Sequence, residues 1–426
     1  MRKRCIALLI ATVMLLGLLA ACGGQEPGYT EPVTLPAEID ELPDAPEETP
    51  PPQNGTEGLP ADTREAILRF SQALFREVLA LEEQNPVISP LSAYYALAMV
   101  ALGARGETRD EFEAVLGRDP AALAGDLHAI ANRLMDTAGS TELAIAGSIW
   151  TADDFNVDPE FARMMSDYFD APAESRDFGA PETVDEINAW VAERTHGLIE
   201  ELIESIGRDE VMLLINTLYF SAKWAESFNP MTEHPGNFYP QTGGAMEVPF
   251  LSTEAGSFSV ALTDAYEAVM LPYDDGRLGF LLVRPLGGAS VREFAAGHDF
   301  TATIAGLERQ EDVQVRMPKL DFEFEVLLND LLRALGLDLV FTDSSDLSGL
   351  SADEEDLFIS SVLQKVRIQV DEEGTEAAAA TVVAIERMSI ALNLLELTFN
   401  TPYLYVIYDL EMGVPLFMGI VDNPAG

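Results

Sequence analysis

Residues 366–389 read VRIQVDEEGTEAAAATVVAIERMS. The first part alternates apolar and polar residues as a β-strand does, and Gly374 then permits a reversal of the backbone. Beyond the glycine, every second residue is uncharged: Thr375, Ala377, Ala379, Thr381, Val383 and Ile385. Glu376 and Glu386 fall on the other phase. The alternation predicts a latent strand with one face fit for burial.

An apolar segment of high β-propensity normally carries a charge or a proline that prevents unwanted pairing. Residues 377–385 carry neither. The small alanine side chains at the leading end would let this strand enter between two others with little steric resistance. Composition alone also allows an ordinary buried strand or an alanine-rich helix.

The composition of the whole chain excludes several classes of protein. The chain has 426 residues, with 72 acidic and 25 basic side chains and a formal net charge of −47. An apolar content of 48% excludes a disordered, collagen-like or multi-span membrane protein. With only four lysines the chain has no large basic surface, so nucleic acid is not expected as a partner.

The amino terminus has the layout of a secretory leader. A basic start at residues 2–4 is followed by an uncharged run over 6–21, and the sequence LAACG at 19–23 closes it. This ending is similar to the lipobox of bacterial lipoproteins and implies a signal peptide over 1–21 and a diacylated Cys22. An ordinary signal peptide cut nearby is the alternative. Because Cys5 leaves with the leader, no disulfide is expected.

A segment rich in proline and acid follows the leader. Between Gly23 and Pro60 there are nine prolines and nine acidic residues but no basic residue. Such a segment cannot bury enough apolar surface to offset chain entropy, so we expect a disordered tether over 22–63 and a folded domain over 64–426. An extended tether of this length reaches about 120 Å from a membrane. The alternative, a proline-rich docking ligand, lacks basic anchors.

The folded part begins with helical patterns and continues with strand patterns. Apolar periodicity predicts helices over 64–81, 91–103 and 184–202, and Ser89 and Pro90 supply the cap and first turn of the second. Short apolar or alternating runs predict strands at 211–220, 268–271, 279–284, 313–317, 361–371, 403–409 and 416–421. Helices early and strands later, without a regular repeat, predict an α+β fold with large antiparallel or mixed sheets.

Signatures of catalysis are absent from the sequence. It contains no G-x-S-x-G, H-E-x-x-H, Walker loop, paired C-x-x-C or G-x-G-x-x-G motif. The four histidines have no ligand spacing and no partner for a hydrolase triad: His128, His196, His234 and His298. The sequence therefore predicts a protein that is not an enzyme and that has no metal or cofactor.

Residues 374–381, GTEAAAAT, resemble the hinge of the reactive-centre loop of inhibitory serpins, a family of serine protease inhibitors. The resemblance covers essentially everything after the tether, with motifs in the order and spacing of the family. These motifs are NPVISPLS at 85–92, LAM at 97–99, LGA at 102–104, NAWV at 188–191, LINTLYF at 214–220, KW at 223–224, MPKL at 317–320, DLSG at 346–349 and PLFMG at 415–419.

The resemblance implies a serpin fold, with three β-sheets, eight or nine helices and an exposed reactive-centre loop on a metastable native state. It also implies a mechanism. A target serine protease attacks the loop and forms an acyl-enzyme, and the freed loop then inserts as a central strand of the large sheet. The protease is left distorted and covalently trapped, so the inhibitor is used once.

The position of the reactive bond follows from the family's usual spacing. Counting from Gly374 places the specificity residue at Met388 and the cut before Ser389. If the cut lies one residue earlier, Arg387 takes that role. Met388 implies elastase-, chymotrypsin- or subtilisin-like targets, whereas Arg387 implies trypsin-like ones, because an arginine needs a buried acid in the protease pocket.

Other matching positions concern the opening of the sheet. Ser89, Ser92 and Asn216 match a polar cluster under the sheet centre. Gln364 stands where the family commonly has histidine. Glutamine can hydrogen-bond but cannot titrate, so the cluster is expected to lack pH sensitivity through that residue.

The hinge itself is matched by Glu372, Gly374, Thr375, Ala377, Ala378, Ala379 and Ala380. Glu372 and Lys319 match a pair that braces the top of the sheet, and Trp224 packs in the same region. An ordinary surface contact of little energy is the alternative for that pair.

These inferences lead to one functional expectation. The protein is expected to be a monomeric, single-use inhibitor of serine endopeptidases, lipid-anchored through Cys22 to a bacterial cell envelope and facing the periplasm or the cell exterior. A non-inhibitory serpin-fold binding or storage protein, and an inhibitor that also traps cysteine proteases, are the alternatives. A tethered enzyme or solute-binding lipoprotein would need a catalytic or ligand constellation that the sequence lacks.

Overall fold

The computed structural model describes residues 4–14, 59–81, 83–197, 199–228, 234–353, 356–375 and 394–425. Nine α-helices lie within these ranges: α1 (Ala61–Leu79), α2 (Pro90–Gly103), α3 (Gly106–Leu116), α4 (Pro120–Met135), α5 (Pro159–Phe169), α6 (Pro181–Arg194), α7 (Val291–Gly297), α8 (Phe300–Ala305) and α9 (Asn329–Ala334).

Seventeen strands lie in the same part of the chain: β1 (Arg4–Met14), β2 (Val87–Ile88), β3 (Glu142–Ala152), β4 (Ala173–Arg176), β5 (Glu210–Lys223), β6 (His234–Phe238), β7 (Met246–Ser252), β8 (Gly256–Leu262), β9 (Tyr266–Pro272), β10 (Leu278–Pro285), β11 (Glu308–Pro318), β12 (Leu320–Leu327), β13 (Leu357–Val370), β14 (Gly374–Thr375), β15 (Leu395–Thr398), β16 (Tyr403–Asp409) and β17 (Val414–Val421).

The first sheet has the strand order β12-β13-β1-β5-β3-β4, with β14 paired to β5 at one end. Its long strands β5 and β13 do not pair with each other along this order. Strand β1, from the segment that the sequence predicts to be a leader, lies between them and runs parallel to both. The centre of this sheet therefore accommodates a strand that is not contiguous in sequence with either neighbour.

The remaining strands form an array of ten whose pairing partners change along β11. The first part of β11 pairs with β8, with a register shift between Gln310 and Val313. Val313 to Arg316 pair with β15, and the last residues of β11 pair with β7. This change of partners divides the array into two sheets, which gives three sheets in all. The predicted α+β fold with three sheets and eight or nine helices is confirmed.

Helix α2 lies at the centre of the molecule. All of its residues are buried, and its N-cap Ser89 accepts a hydrogen bond from the backbone N–H of Ser92 at 3.3 Å, with Pro90 in the first turn, as the sequence predicts. Helix α1 also follows the prediction and buries one apolar face that includes Ile67, Phe70 and Leu74. Both helices belong to the core that joins the sheets.

The helix predicted over 184–202 is shorter than expected at its end. Helix α6 ends at Arg194, and His196 and Gly197 have positive φ angles of 49° and 87°, which turn the chain away from the helix axis. Ile199 and Leu202 are nevertheless buried, in the same cluster as the apolar side of α6. The apolar pattern continues past the helix because the linker packs on the same face of β5 that the helix covers.

No helix in the described ranges is both long enough and apolar enough to cross a membrane.

A buried charge ties the end of α4 to the neighbouring sheet. Arg277 and Asp409 are 6% and 0% exposed, and Arg277 Nε lies 3.2 Å from a carboxylate oxygen of Asp409. Arg277 Nη1 also donates to the carbonyl oxygens of Arg133 and Asp136, at 2.7 and 3.1 Å. These carbonyls lie at the C-terminal end of α4, where the last carbonyl groups have no N–H partner within the helix.

We expect Arg277→Ala to lower the free energy of unfolding by about 3–5 kcal/mol, because it leaves the Asp409 carboxylate buried without its cation. The matched control is Arg163→Ala, which removes an exposed ion pair to Asp167 and should cost less than about 1 kcal/mol. Urea unfolding of both variants measures the difference. Equal losses would contradict a structural role for the buried pair.

Candidate functional site

The candidate site is the hinge where β13 ends and the loop begins. Asp371 Oδ1 accepts hydrogen bonds from the backbone N–H groups of Glu373 and Gly374, at 2.9 and 3.2 Å. The backbone N–H of Asp371 donates to the carbonyl of Gly374 at 2.9 Å. These bonds close a tight turn directly after Val370, the last residue of β13.

The turn delivers two loop residues into the first sheet. Gly374 pairs with Lys223 and Thr375 pairs with Ala222, antiparallel to β5, and both loop residues are buried. A Cβ atom on Gly374 would lie 2.1 Å from the carbonyl oxygen of Ala222, so glycine is required for this close approach. The part of the loop that the structure describes is therefore already seated in the sheet.

The side chain of Thr375 contacts a buried tyrosine. Thr375 Oγ1 and the hydroxyl of Tyr273 are 2.5 Å apart, and both residues are fully buried. The Tyr273 ring stacks on Trp224 at 4.7 Å between centroids and 11° between planes. Burial raises the pKa of Tyr273 well above its ordinary value, so its hydroxyl stays protonated and can donate.

Trp224 binds the outer side of the same turn. Its indole N–H donates to the carbonyl of Asp371 at 3.0 Å, and its backbone N–H donates to the carbonyl of Glu373 at 2.9 Å. The backbone N–H of Phe228 donates to the carbonyl of Glu372 at 2.8 Å. Donors of Trp224 and Phe228 thus bind the carbonyls of the hinge turn, and the Asp371 carboxylate accepts from its N–H groups.

Two ion pairs lie at the surface of the hinge. Lys319 Nζ is 2.6 Å from a carboxylate oxygen of Glu372, and Lys223 Nζ is 3.7 Å from one of Glu373. The structure thus brings together Glu372 and Lys319, which the sequence pairs as a brace. Partial exposure limits such a pair to about 1 kcal/mol or less.

A buried polar cluster lies further along β5, beneath the sheet. Ser92 Oγ donates to Asn216 Oδ1 at 2.6 Å, and Gln364 Nε2 donates to the carbonyl of Ser89 at 2.9 Å. The backbone N–H of Ser89 donates in return to Gln364 Oε1 at 3.2 Å. All four residues are at most 2% exposed. The cluster connects the start of α2 to the two strands that flank β1.

Sequence reasoning missed two residues of this site, Tyr273 and Asp371. Asp371 carried a usable signal, because an aspartate two and three residues before backbone N–H groups commonly closes an Asx turn. Tyr273 carried none, because it follows β9 in a distant part of the sequence and meets the hinge only in the folded chain.

Several predicted site residues lie outside the part of the chain that the structure describes. They are Cys22 and the tether up to residue 58, Ala377, Ala378, Ala379 and Ala380 of the hinge, and the reactive-bond residues Arg387, Met388 and Ser389. Across the described ranges, no group of three or more histidine, cysteine, aspartate or glutamate side chains is placed to hold a metal ion.

A glycine hinge that pairs with a long strand of a large sheet is typical of one class of protein. The comparisons with known proteins identify the same class. The family model for Serpin (serine protease inhibitor) matches residues 65–424. The chain belongs to the serpin family, and its serpin fold is confirmed. Serpins are protease inhibitors rather than catalysts, although some members do not inhibit proteases.

Individual relatives cover nearly the whole domain. Serpin-Z7 of Hordeum vulgare is 32% identical over 80% of this chain and 90% of its own, and neuroserpin of Mus musculus is 30% identical over 84% and 91%. The thermophilic serpin tengpin in its native state superposes with a TM-score of 0.79, at 30% identity over 87% of this chain and 96% of its own. Human thyroxine-binding globulin complexed with thyroxine, at 22% identity over 85% and 98% and a TM-score of 0.75, shares the fold.

The Asp371 carboxylate makes the stability of the hinge depend on pH. Burial raises the pKa of Asp371 above the ordinary value of 3.8, the two backbone N–H donors oppose this, and the charges of Glu372 and Glu373 add to it. The native state then binds this proton more tightly than the unfolded chain. Stability contributed by the protonated group is present below the unfolded pKa and is lost as the pH rises through the native pKa.

We expect Asp371→Asn to have a larger free energy of unfolding than the wild type at pH 7, and the difference to shrink when both are measured at pH 3.5. Asparagine keeps an oxygen acceptor for the two N–H groups and carries no charge. Urea unfolding at the two pH values provides the measurement.

Asp299→Asn is the matched control for this prediction. Asp299 Oδ1 also accepts from two backbone N–H groups, of Thr301 and Ala302, but the hydroxyl of Thr301 is the largest cause that lowers its pKa below 3.8. The wild type should therefore exceed this variant at pH 7, and that advantage should fade toward acid. An Asp371→Asn advantage that grows toward acid would contradict the assignment.

Proposed function

We propose that this serpin inhibits serine endopeptidases by covalent trapping, with insertion of its reactive loop between β5 and β13. The observation that carries the proposal is the pairing of Gly374 and Thr375 with Lys223 and Ala222. This pairing places the start of the loop at one end of the gap in the sheet. It also sets the register in which the rest of the loop would follow.

The register assigns each further loop residue a partner on β5. If the antiparallel ladder of Gly374 and Thr375 continued, residue 376 would face Ser221 and each later loop residue would face the preceding residue of β5, so that 385 would face Met212. Directly opposed residues share a face of the sheet. The loop residues at 377, 379, 381, 383 and 385 would then lie on the face of Ala222, which is the core face.

These are the positions that the sequence leaves uncharged. Ala377 would oppose Phe220, where a small side chain fits beside a large one. Thr381 would oppose Asn216, so its hydroxyl would reach the buried polar cluster rather than an apolar surface. Glu376 would lie on the opposite face. The alternation of the loop supports this register, because Met212, Leu214, Leu218 and Phe220 lie in the main core.

The sheet can hold a strand at this position, because one lies there in the structure. Arg4–Met14 occupies the same gap and pairs with β5 on one side and with β13 on the other. An inserted loop would gain ladder hydrogen bonds on both edges, and the full burial of Val383 and Ile385 would add about 1.5–3 kcal/mol each. Insertion would therefore be favourable once cleavage frees the loop and Arg4–Met14 no longer occupies this position.

The inserted length is sufficient to move an attached protease. The catalytic serine would attack the carbonyl of Met388 and form an ester, while the peptide bond breaks and the amine of Ser389 leaves with a proton. Ten loop residues, at about 3.4 Å each, would carry the ester about 34 Å along the sheet. Arg387 is the alternative residue at the ester.

The tether extends the proposal to a location. A diacylated Cys22 would anchor the domain to a bacterial cell envelope, on the periplasmic or outer side, with the segment from 23 to 60 as a spacer. The composition of that segment and the lipobox-like ending of the leader support this part of the proposal.

The trapping mechanism can be tested with the soluble fragment from Ala61. Trypsin, elastase, chymotrypsin and subtilisin are incubated with it separately, and the products are run on denaturing gels. We expect an SDS-resistant complex and a released peptide that begins at Ser389, because the ester survives denaturation. A new terminus at Met388 would assign the specificity residue to Arg387. Cleavage without a complex, and without a gain in heat stability, would leave the non-inhibitory alternative.

Two hinge variants sharpen this test. Ala377→Glu places a carboxylate on the core face opposite Phe220, so we expect cleavage at the same bond with at least a tenfold loss of complex. Glu376→Ala, the matched control, removes a carboxylate from the other face and should trap as the wild type does. Equal behaviour of the two variants would contradict the register.

Lipid anchoring is tested by detergent phase partition of the full chain expressed in a bacterial host. We expect the wild type to enter the detergent phase and Cys22→Ser to stay in the aqueous phase, because the variant has no thiol for the diacyl group. Aqueous partition of both proteins would contradict the anchor, and detergent partition of both would assign the anchoring to an uncleaved leader.

A further inference from the structure

The hydroxyl of Tyr273 meets the hinge at a point where neither partner has access to water. Tyr273 and Thr375 are both fully buried, and their oxygens are 2.5 Å apart. Among the described residues, Thr375 is the one hydrogen-bond partner of the Tyr273 hydroxyl. If the hinge left the sheet, this hydroxyl would lose its partner while its ring remained fixed by Trp224.

The ring and backbone of Tyr273 also make contacts away from the hinge. The edge of Phe220 packs against it at 5.2 Å, and its backbone N–H donates to the carbonyl of Leu278 at 3.1 Å. Trp224, which stacks on it, also binds the turn through Asp371 and Glu373. Tyr273 is thus a rigid hydroxyl on the scaffold, and Thr375 is the first loop side chain that can engage it.

We propose that Tyr273 is a positioning residue that holds Thr375 in the sheet and so fixes the register in which the reactive loop enters. The inference rests on the proposed function. After acylation, two fates compete: insertion, which traps the protease, and hydrolysis of the ester, which releases it. A seated hinge shortens the path to insertion, because the first two ladder residues and the turn are already in place.

The chemistry of the pair makes a specific prediction for three variants. Tyr273→Phe leaves the Thr375 hydroxyl buried without its partner. Thr375→Val likewise leaves the Tyr273 hydroxyl buried without its partner. Each should lower the ratio of seated to unseated hinge about fivefold, as expected for one buried hydrogen bond. The double variant replaces both hydroxyls by apolar groups of similar shape and should return close to the wild type.

The first measurement is hydrogen exchange at Thr375 in the full chain. We expect exchange about fivefold faster in each single variant and near the wild-type rate in the double variant. Tyr405→Phe is the matched control. Tyr405 is also fully buried, and its hydroxyl has no hydrogen-bond partner in the described part of the chain, so its removal should leave exchange at Thr375 unchanged.

The second measurement is the number of inhibitor molecules consumed per protease molecule trapped. We expect this ratio to rise at least twofold in each single variant, with the same cleavage site, and to recover in the double variant. Wild-type exchange in both single variants, or additive losses in the double variant, would overturn the positioning role. If the wild type traps no protease, the proposed function fails, and the exchange experiment still decides whether Tyr273 seats the hinge.

Discussion

The antiparallel pairing of Gly374 and Thr375 with the end of β5 is the contact on which the site depends. It requires a residue without a Cβ atom at 374, because the carbonyl of Ala222 occupies that space. It also requires the turn that Asp371 closes and Trp224 supports. Under the proposed mechanism, the geometry of the ladder would then determine the direction, face and partner of each loop residue that inserts.

The position between β5 and β13 where the loop would insert has different neighbouring side chains along its length. At the hinge end it offers Tyr273 and Trp224, which bind the first loop residues. Further along, the polar cluster of Ser92 and Asn216 lies beneath it, and Gln364 takes part without any charge that titrates. A loop that enters in the proposed register meets polar side chains with Thr375 and Thr381 and apolar side chains with its alanines, Val383 and Ile385.

Much of this could be predicted from the sequence, since periodicity located α1 and α2 and alternation located β13. The end of α6 could not be predicted, because Ile199 and Leu202 continue an apolar pattern beyond the helix while packing on the same strand face. Within the site, the motifs correctly paired Glu372 with Lys319 and placed Ser92 and Asn216 in one polar cluster. Tyr273 was out of reach, because its role depends on a contact across 102 positions of the chain.

The strand Arg4–Met14 and an inserted reactive loop cannot occupy the sheet at the same time. It runs along the same edges of β5 and β13 that the loop needs, and a sheet position admits one backbone at a time. Under the proposed mechanism, a chain that keeps its first residues in the sheet could not insert its reactive loop, even if its reactive bond is intact. Insertion of the loop would therefore require a chain in which Arg4–Met14 no longer occupies this position.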